Sequence, residues 1–586
     1  MSAPTKIDWS KVDHPAPVFQ AFPSRRSVVY GTRGIVSSSQ PLATAAGLEI
    51  LNKGGNAADA AVATSVALNV TEPCSCGIGG DAFCLYFDAT TKKITALNGS
   101  GRAPKRLDVE YLRQNGVEGN SIPLTNLNSV TVPGAAAAWI DTIEHLGSGK
   151  VTVAEIFEPA IRLAEKGFPV SEISSEGWQH SEGLIKSASP NGDEMLLNGR
   201  APQPGQIMRL ENLAKTFKEL VAHGKDGFYK GRIAQAIVDL VQSKGGVMDL
   251  EDLASHTSTF VEPIHYTYAG EVTVYECPPN GQGLTALLAL GILEQMQEQG
   301  TTQPLLDLPH NSPEYLHALI EALRLAFGDS QCGRIAQQGK SKHPARYWFN
   351  LTLSMQKYLA ERAKLFDPKK TNPEVVHGSP ENSSDTVYFT VTDQWGNACS
   401  YIQSNYAGFG TGAIPEGCGF TLQNRGSNFT LLQDHPNVVQ GGKRPYHTII
   451  PAMATRNGEL FLSYGVMGGF MQPQGHVQVL LNILRGYTVQ AALDAPRFCI
   501  SPGMPGAANS GAAGDANSEI YFEDGIPAQT VEHLRAMGHD VRLVTGAARG
   551  MLGRGQIIQK LRDVSGQLSW AAGSDPRADG HAAPQI

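Results

Sequence analysis

Apolar residues recur at helical spacing from about Leu42 to Leu51 and again from Ala57 to Leu68, both segments being rich in alanine. Gly54 and Gly55 fall between them where a helix would end, and Asn56 is placed to cap the second. The pattern then changes period, and "FCLYFDATTKKITALNG" predicts two strands joined by a turn around residues 89–92. The apolar run from Leu284 to Leu293 predicts a core helix, much too short to cross a hydrocarbon layer of ~30 Å. Another helix is predicted over Ser312 to Ser330, with Ser312 as its cap. Beyond Thr386 strand text dominates, interrupted by the helical "QGHVQVLLNIL" and a Gly/Ala/Pro-rich loop from Ser501 to Ala516. No repeat at a solenoid period occurs, and this order of elements predicts a mixed α/β fold in which helices cover sheets.

Composition narrows the functional classes. A chain of 586 residues with 41% hydrophobic and 17% charged positions has enough apolar material for a large core. A formal charge of -8 without a basic run argues against nucleic-acid binding, which needs a concentrated basic face. The first residues, "MSAPTKIDWSKVDHPAPVF", lack the apolar centre of a secretory signal, so an intracellular, cytoplasmic protein that does not span a membrane is expected. Cys74, Cys76 and Cys84 cluster, but C-x-C without a second pair at finger-like spacing reads as buried thiols, and no metal site is expected. Neither G-x-S-x-G nor H-E-x-x-H occurs. Two G-x-G-x-x-A strings, Gly77 to Ala82 and Gly408 to Ala413, lack the strand-turn-helix context of a dinucleotide site.

One junction carries chemistry. A polar and charged stretch from Phe366 to Asp385 reads as a flexible linker, and at Thr386 it becomes an alternating strand. Val387, Phe389 and Val391 alternate with Thr386, Tyr388, Thr390 and Thr392, predicting a strand with one buried face. "DQWGN" is the turn and "ACSYIQ" the returning strand. With the turn centred between Trp395 and Gly396, Thr386 falls opposite Asn405 and next to Ser404, and a one-residue bulge would not remove that neighbourhood. If the bond between Asp385 and Thr386 were cut, the new α-amine, with an ordinary pKa of roughly 7.7 to 8.0, would be a base tethered beside the threonine hydroxyl. The alternative is an ordinary loop-to-hairpin junction.

Eight ordered blocks bear on that choice: "PLATAAGLEILNKGGNAADAAVAT", "EPCSCGIGGDAF", "HALIEALRLAFGDS", "DTVYFTVTDQWGNA", "GFGTG", "GKRPYHTIIPAM", "VMGG" and "DAPRF". In order, and over nearly the whole chain, they resemble the landmarks of the γ-glutamyltranspeptidase family. The resemblance implies the α+β, four-layer αββα sandwich of N-terminal-nucleophile hydrolases, and a precursor that cleaves itself before a threonine. Carried onto this chain, cleavage between Asp385 and Thr386 yields a large fragment 1–385 and a small fragment 386–586 that stay associated as one intertwined domain. Thr386 would be the nucleophile in both self-cleavage and catalysis, Ser404 its hydroxyl partner, and Gly468 and Gly469 the oxyanion donors. Neither metal nor organic cofactor is implied. The partner is a small-molecule amide, and a homo-oligomer is compatible with the resemblance.

Departures from the family pattern fall on groups that hold substrate. Where the family has an arginine for the α-carboxylate of a γ-glutamyl group, this chain has Ser100, with Arg102 two positions on. The serine pair for the same carboxylate is replaced by His447 and Thr448, and the Gln and Asp that receive the α-ammonium by Arg425 and Asn428. A cation in place of a neutral amide, and an amide in place of a carboxylate, disfavour an ammonium group. For Arg425 alone a surface salt bridge is the competing reading. Three functions follow: γ-glutamyl compounds of the glutathione type as substrates; dicarboxylic half-amides, oxamate-like or glutaryl-like; or a silent binding scaffold. "NGSGRAP" and "PYHTIIPAM" are closer to the intracellular transpeptidase-like branch of the family.

Overall fold

The computed structural model describes residues 6–13, 26–331, 352–372, 385–501 and 519–586. Two seven-stranded antiparallel sheets lie face to face. One runs in the order His581–Pro584, Ile35–Ser38, Asp385–Thr392, Ala398–Tyr406, Asp81–Asp88, Lys93–Gly99, Thr259–Val261. The other runs Val29–Gly31, Leu568–Ser574, Arg554–Arg562, Glu459–Met467, Ala452–Arg456, Val272–Glu276, Ile264–Tyr268. Each sheet therefore takes strands from both sides of Thr386.

Three apolar clusters define four layers. Phe83, Leu85, Tyr388, Ile402, Met453, Ile558 and Trp570 fill the space between the sheets. Val387, Phe389 and Val391 pack on the opposite face of their sheet against Ala57–Thr71 and Ala135–Leu146. On the far side of the second sheet, Gly283–Glu298, Pro313–Gln331 and Met471–Leu484 form the other helical layer. The helix-sheet-sheet-helix order follows from strands that bury both faces, each needing its own apolar cover.

Local chemistry explains the elements. The Asn56 side chain accepts from the N–H groups of Ala58 and Asp59 while Asp59 reaches back to the Asn56 N–H, a reciprocal cap for Ala57–Thr71. Ser312 accepts from Tyr315 N–H ahead of Pro313–Gln331. The run from Leu284 lies inside the buried helix Gly283–Glu298, and no helix among the described residues is long and apolar enough to cross a membrane. The seven cysteines among the described residues are buried. Most of the predicted linker (373–384) and of the Gly/Ala/Pro-rich loop (502–516) lies outside the described residues.

Two expectations for the hairpin change. From Thr386 to Thr392 the strand is buried on both faces, because Thr386, Tyr388, Thr390 and Thr392 point between the sheets; Thr390 Oγ1 lies 2.6 Å from Ser463 Oγ of the second sheet. The pairing register shifts by one residue, which puts the centre of the turn on Trp395: Val387 pairs with Gln403 and Thr392 with Ala398. Asp393 causes this, its carboxylate accepting from the N–H groups of Trp395 and Asn397 to build a five-residue loop that Gly396 closes.

Candidate active site

The ladder shifts register between Asp385 and Val387, so Thr386 occupies an irregular position at the start of its strand. Its Oγ1 donates to Ser404 Oγ at 3.0 Å, and both residues are fully buried. Ser404 Oγ also accepts from Tyr406 N–H at 2.8 Å and from Arg425 Nη2 at 3.2 Å. Three donors converge on one hydroxyl oxygen and fix it beneath the threonine. Gly80 makes room for this corner, since a Cβ there would lie 2.3 Å from the Ser404 carbonyl oxygen.

Arg425 is buried, which removes the surface salt bridge as an account of it. Its Nη1 donates to Thr448 Oγ1 at 2.7 Å, and its guanidinium carbon lies 4.5 Å from the centre of the Tyr406 ring. Burial lowers its pKa to about 10, with the nearby Asp81 carboxylate working in the other direction, and the group stays cationic at neutral pH. Its Nε is buried with no acceptor among the described residues, an arrangement that favours an incoming anion.

Asp81, at the end of "GIGGD", escaped the motif reading and is the hub of the site. Its Oδ1 accepts from the N–H groups of Gly101 and Gly134 and from Gln423 Nε2, and its Oδ2 lies 3.0 Å from His447 Nε2. His447 Nδ1 accepts from Ile449 N–H, so Nε2 carries the ring proton and donates it to Asp81. Burial, reinforced by the charge of Arg425, lowers the His447 pKa to about 3 and keeps the imidazole neutral. Burial pushes the Asp81 carboxyl up, but the His447 hydrogen bond and Arg425 charge outweigh it and hold it below the usual range. The signal that could have revealed Asp81 is a carboxylate opening a strand whose next six residues, Ala82 to Phe87, are apolar.

The depressed His447 pKa has a measurable sign. An unfolded His447 takes up a proton near pH 6.5 and the folded one refuses it until about pH 3, so this group removes stability as pH falls across that window. His447→Gln is expected to flatten the fall by up to roughly 1.4 kcal/mol per pH unit between those limits, measured by urea unfolding at a series of pH values.

The remaining predicted residues divide. Ser100 is buried and accepts from Asn280 Nδ2 at 3.0 Å, while the Asn280 carbonyl accepts from His447 N–H at 2.7 Å. Gly468 and Gly469 follow the strand Glu459–Met467 in a turn with φ values of +126° and +56°, which only glycine adopts without strain. The Gly469 carbonyl is tied through Gln282 Nε2 to that of Thr448. Arg102 stands apart, exposed and donating to the Gly442 carbonyl at 3.4 Å. Asn428 closes the short turn Arg425–Asn428, and its carbonyl accepts from Asn437 Nδ2. Arg444, also missed, donates to the Ser100 carbonyl at 2.8 Å.

Among the described residues, metal-ligand geometry occurs at His317–Glu321–His539 and Asp141–Glu144–His145. In the first, His317 and His539 hydrogen-bond each other at 2.7 Å, and Glu321 is engaged by Arg324 and Thr371.

A four-layer αββα sandwich with a threonine hydroxyl at the head of an inner strand is the architecture of N-terminal-nucleophile hydrolases. Within that class the chain belongs to the γ-glutamyltranspeptidase family, whose profile matches residues 43–585. It is 34% identical over 557 residues to the glutathione hydrolase-like YwrD proenzyme of Bacillus subtilis strain 168, covering 94% of this chain and 99% of the relative. The oxamate amidohydrolase proenzyme of Klebsiella pneumoniae is 29% identical over 561 residues, covering 94% and 98%. The crystal structure of cephalosporin acylase from Bacillus halodurans matches with a TM-score of 0.83 at 38% identity, covering 97% of this chain and 99% of that one. The chain is an enzyme of this proenzyme hydrolase and acylase family.

Proposed function

We propose that this enzyme cleaves itself between Asp385 and Thr386 and then hydrolyses or transfers the acyl group of amides whose acyl part ends in a carboxylate without an α-ammonium. In the precursor, the Thr386 hydroxyl attacks the Asp385 carbonyl; the C–N bond breaks as the ester forms, the hydroxyl proton passing to the released Thr386 amine, and water then opens the ester to an Asp385 carboxylate and the restored Thr386 hydroxyl. That amine then takes the hydroxyl proton as Thr386 attacks the substrate amide and passes it to the departing nitrogen. Gly468 and Gly469 N–H groups receive the oxyanion. Water or an amine removes the acyl group.

The observation that carries the substrate reading is the buried Arg425, bonded to Ser404 and Thr448 with Nε unpaired among the described residues. Two hydrogen bonds, 3.2 and 3.0 Å, separate its Nη2 from the Thr386 hydroxyl, so a carboxylate on Arg425 belongs to a short acyl chain. Asp81 is no receptor for an ammonium: four donors already occupy its carboxylate. The oxamate relative is consistent with this reading; the glutathione hydrolase-like relative favours γ-glutamyl donors, with Arg425 gripping their α-carboxylate from a different side.

Matched anilides distinguish the two. Glutaryl or shorter diacid anilides are expected to give at least about tenfold higher kcat/KM than γ-glutamyl anilide, since an unpaired ammonium beside Arg425 costs more than 1.4 kcal/mol. Equal or better turnover of the γ-glutamyl compound would sink the diacid assignment.

A further inference from the structure

The segment Asn280-Gly281-Gln282, just ahead of Gly283–Glu298, touches both walls of the site. Asn280 holds Ser100 and His447, and Gly281 forms a bridge with His447. Gln282 is fully buried and donates from Nε2 to the carbonyls of Thr448 at 2.6 Å and Gly469 at 2.5 Å. Both partners are acceptors, which fixes the carboxamide orientation: flipped, Oε1 would face two carbonyl oxygens.

We propose that Gln282 is a positioning residue that sets the Gly468-Gly469 turn for the oxyanion of acyl transfer; this rests on the assignment of Thr386 as nucleophile. Two adjacent glycines leave the peptide between them free to rotate at little cost. The Gly468 carbonyl is held by Met471 N–H at 2.9 Å, which orients the plane that also carries the Gly469 N–H. The next plane is held through the Gly469 carbonyl by Gln472 N–H at 3.2 Å and by Gln282. That plane carries the Phe470 N–H, so Gln282 reaches the donors by fixing the far side of Gly469, and removing it frees the turn at a site where donor placement governs the rate.

The same carboxamide binds Thr448, whose hydroxyl takes the Arg425 guanidinium. One side chain of the large fragment therefore couples, within the small fragment, the turn that receives the oxyanion and the arm that receives the carboxylate. The contact is noncovalent and spans the two fragments.

The test compares purified Gln282→Met and Gln282→Glu with the unaltered enzyme on a diacid anilide. Gln282→Met is expected to lower kcat at least about tenfold, with a smaller rise in KM from the Thr448 contact and with unchanged fragment stoichiometry. Gln282→Glu faces two carbonyls as a carboxylate but regains one donor when protonated, so its kcat relative to the unaltered enzyme is expected to rise as pH falls. A merely structural role would not produce that pH-dependent ratio, and the ratio remains readable if the Met variant folds poorly. Unchanged kcat in both variants, or a flat ratio with losses confined to KM or folded yield, overturns the proposal. Thr386→Ala run alongside separates the two claims: activity in that variant overturns the nucleophile assignment, whereas an inactive Thr386→Ala beside a fully active Gln282→Met overturns positioning alone.

Discussion

Thr386→Ala is expected to remain a single 586-residue chain with no measurable amidase activity, while the unaltered protein separates into two fragments on a denaturing gel. The substitution removes the only atom proposed to attack, both in self-cleavage and in acyl transfer. It should change the fold little: the lost hydroxyl makes a hydrogen bond to Ser404, worth about 1 kcal/mol, and the neighbouring Val387 and Phe389 keep their packing. Thr386→Ser retains the hydroxyl and should cleave. Fragments from Thr386→Ala, or an intact unaltered chain after prolonged incubation, would contradict the account.

The second large effect concerns Arg425. Arg425→Met should reduce the preference for a carboxylate-bearing anilide over its methyl ester by roughly 30- to 1000-fold, the equivalent of about 2–4 kcal/mol for a buried charge-assisted contact. The ratio of the two substrates is the informative quantity, because the substitution also removes the positive charge near Asp81 and so lowers folded yield for both alike. An unchanged ratio would show that the acyl carboxylate binds elsewhere, with Arg444 as the next cation of the same wall.

Much of this organisation was legible along the chain because it depends on local rules. Asn56 announced a helix start, and the alternation after Thr386 announced a strand. Counting across the hairpin placed Ser404 beside Thr386 even though the register was off by one residue, since such a slip moves the partner only one position along the facing strand; it does exchange the face, and Ser404 rather than Asn405 meets the Thr386 hydroxyl. The true centre of the turn was hidden in the Asp393 carboxylate, which organises the loop through backbone N–H groups. The four-layer order came from the family resemblance; no spacing rule indicates that both faces of the strand are covered.

The site was legible where one stretch carried the chemistry and illegible where it is assembled from several. Asp81, Gln282 and Arg444 lie on separate segments, and each acts through contacts with residues more than 160 positions away. Arg102 was chosen for its place in "GSGRAP", but its side chain reaches the exposed Gly442 loop instead of the buried cluster. Gln282 resembled nothing more than a polar residue before an apolar helix; only the fold brings Thr448 and Gly469 to its carboxamide.

The role of Thr386 is tested by the mass of the small fragment after rapid acid quenching during turnover of a diacid anilide, followed by peptide mapping. A fragment that begins at Thr386 and carries one acyl group on that residue is expected. A fragment with a different first residue, or an acyl group attached anywhere other than Thr386, would contradict that role.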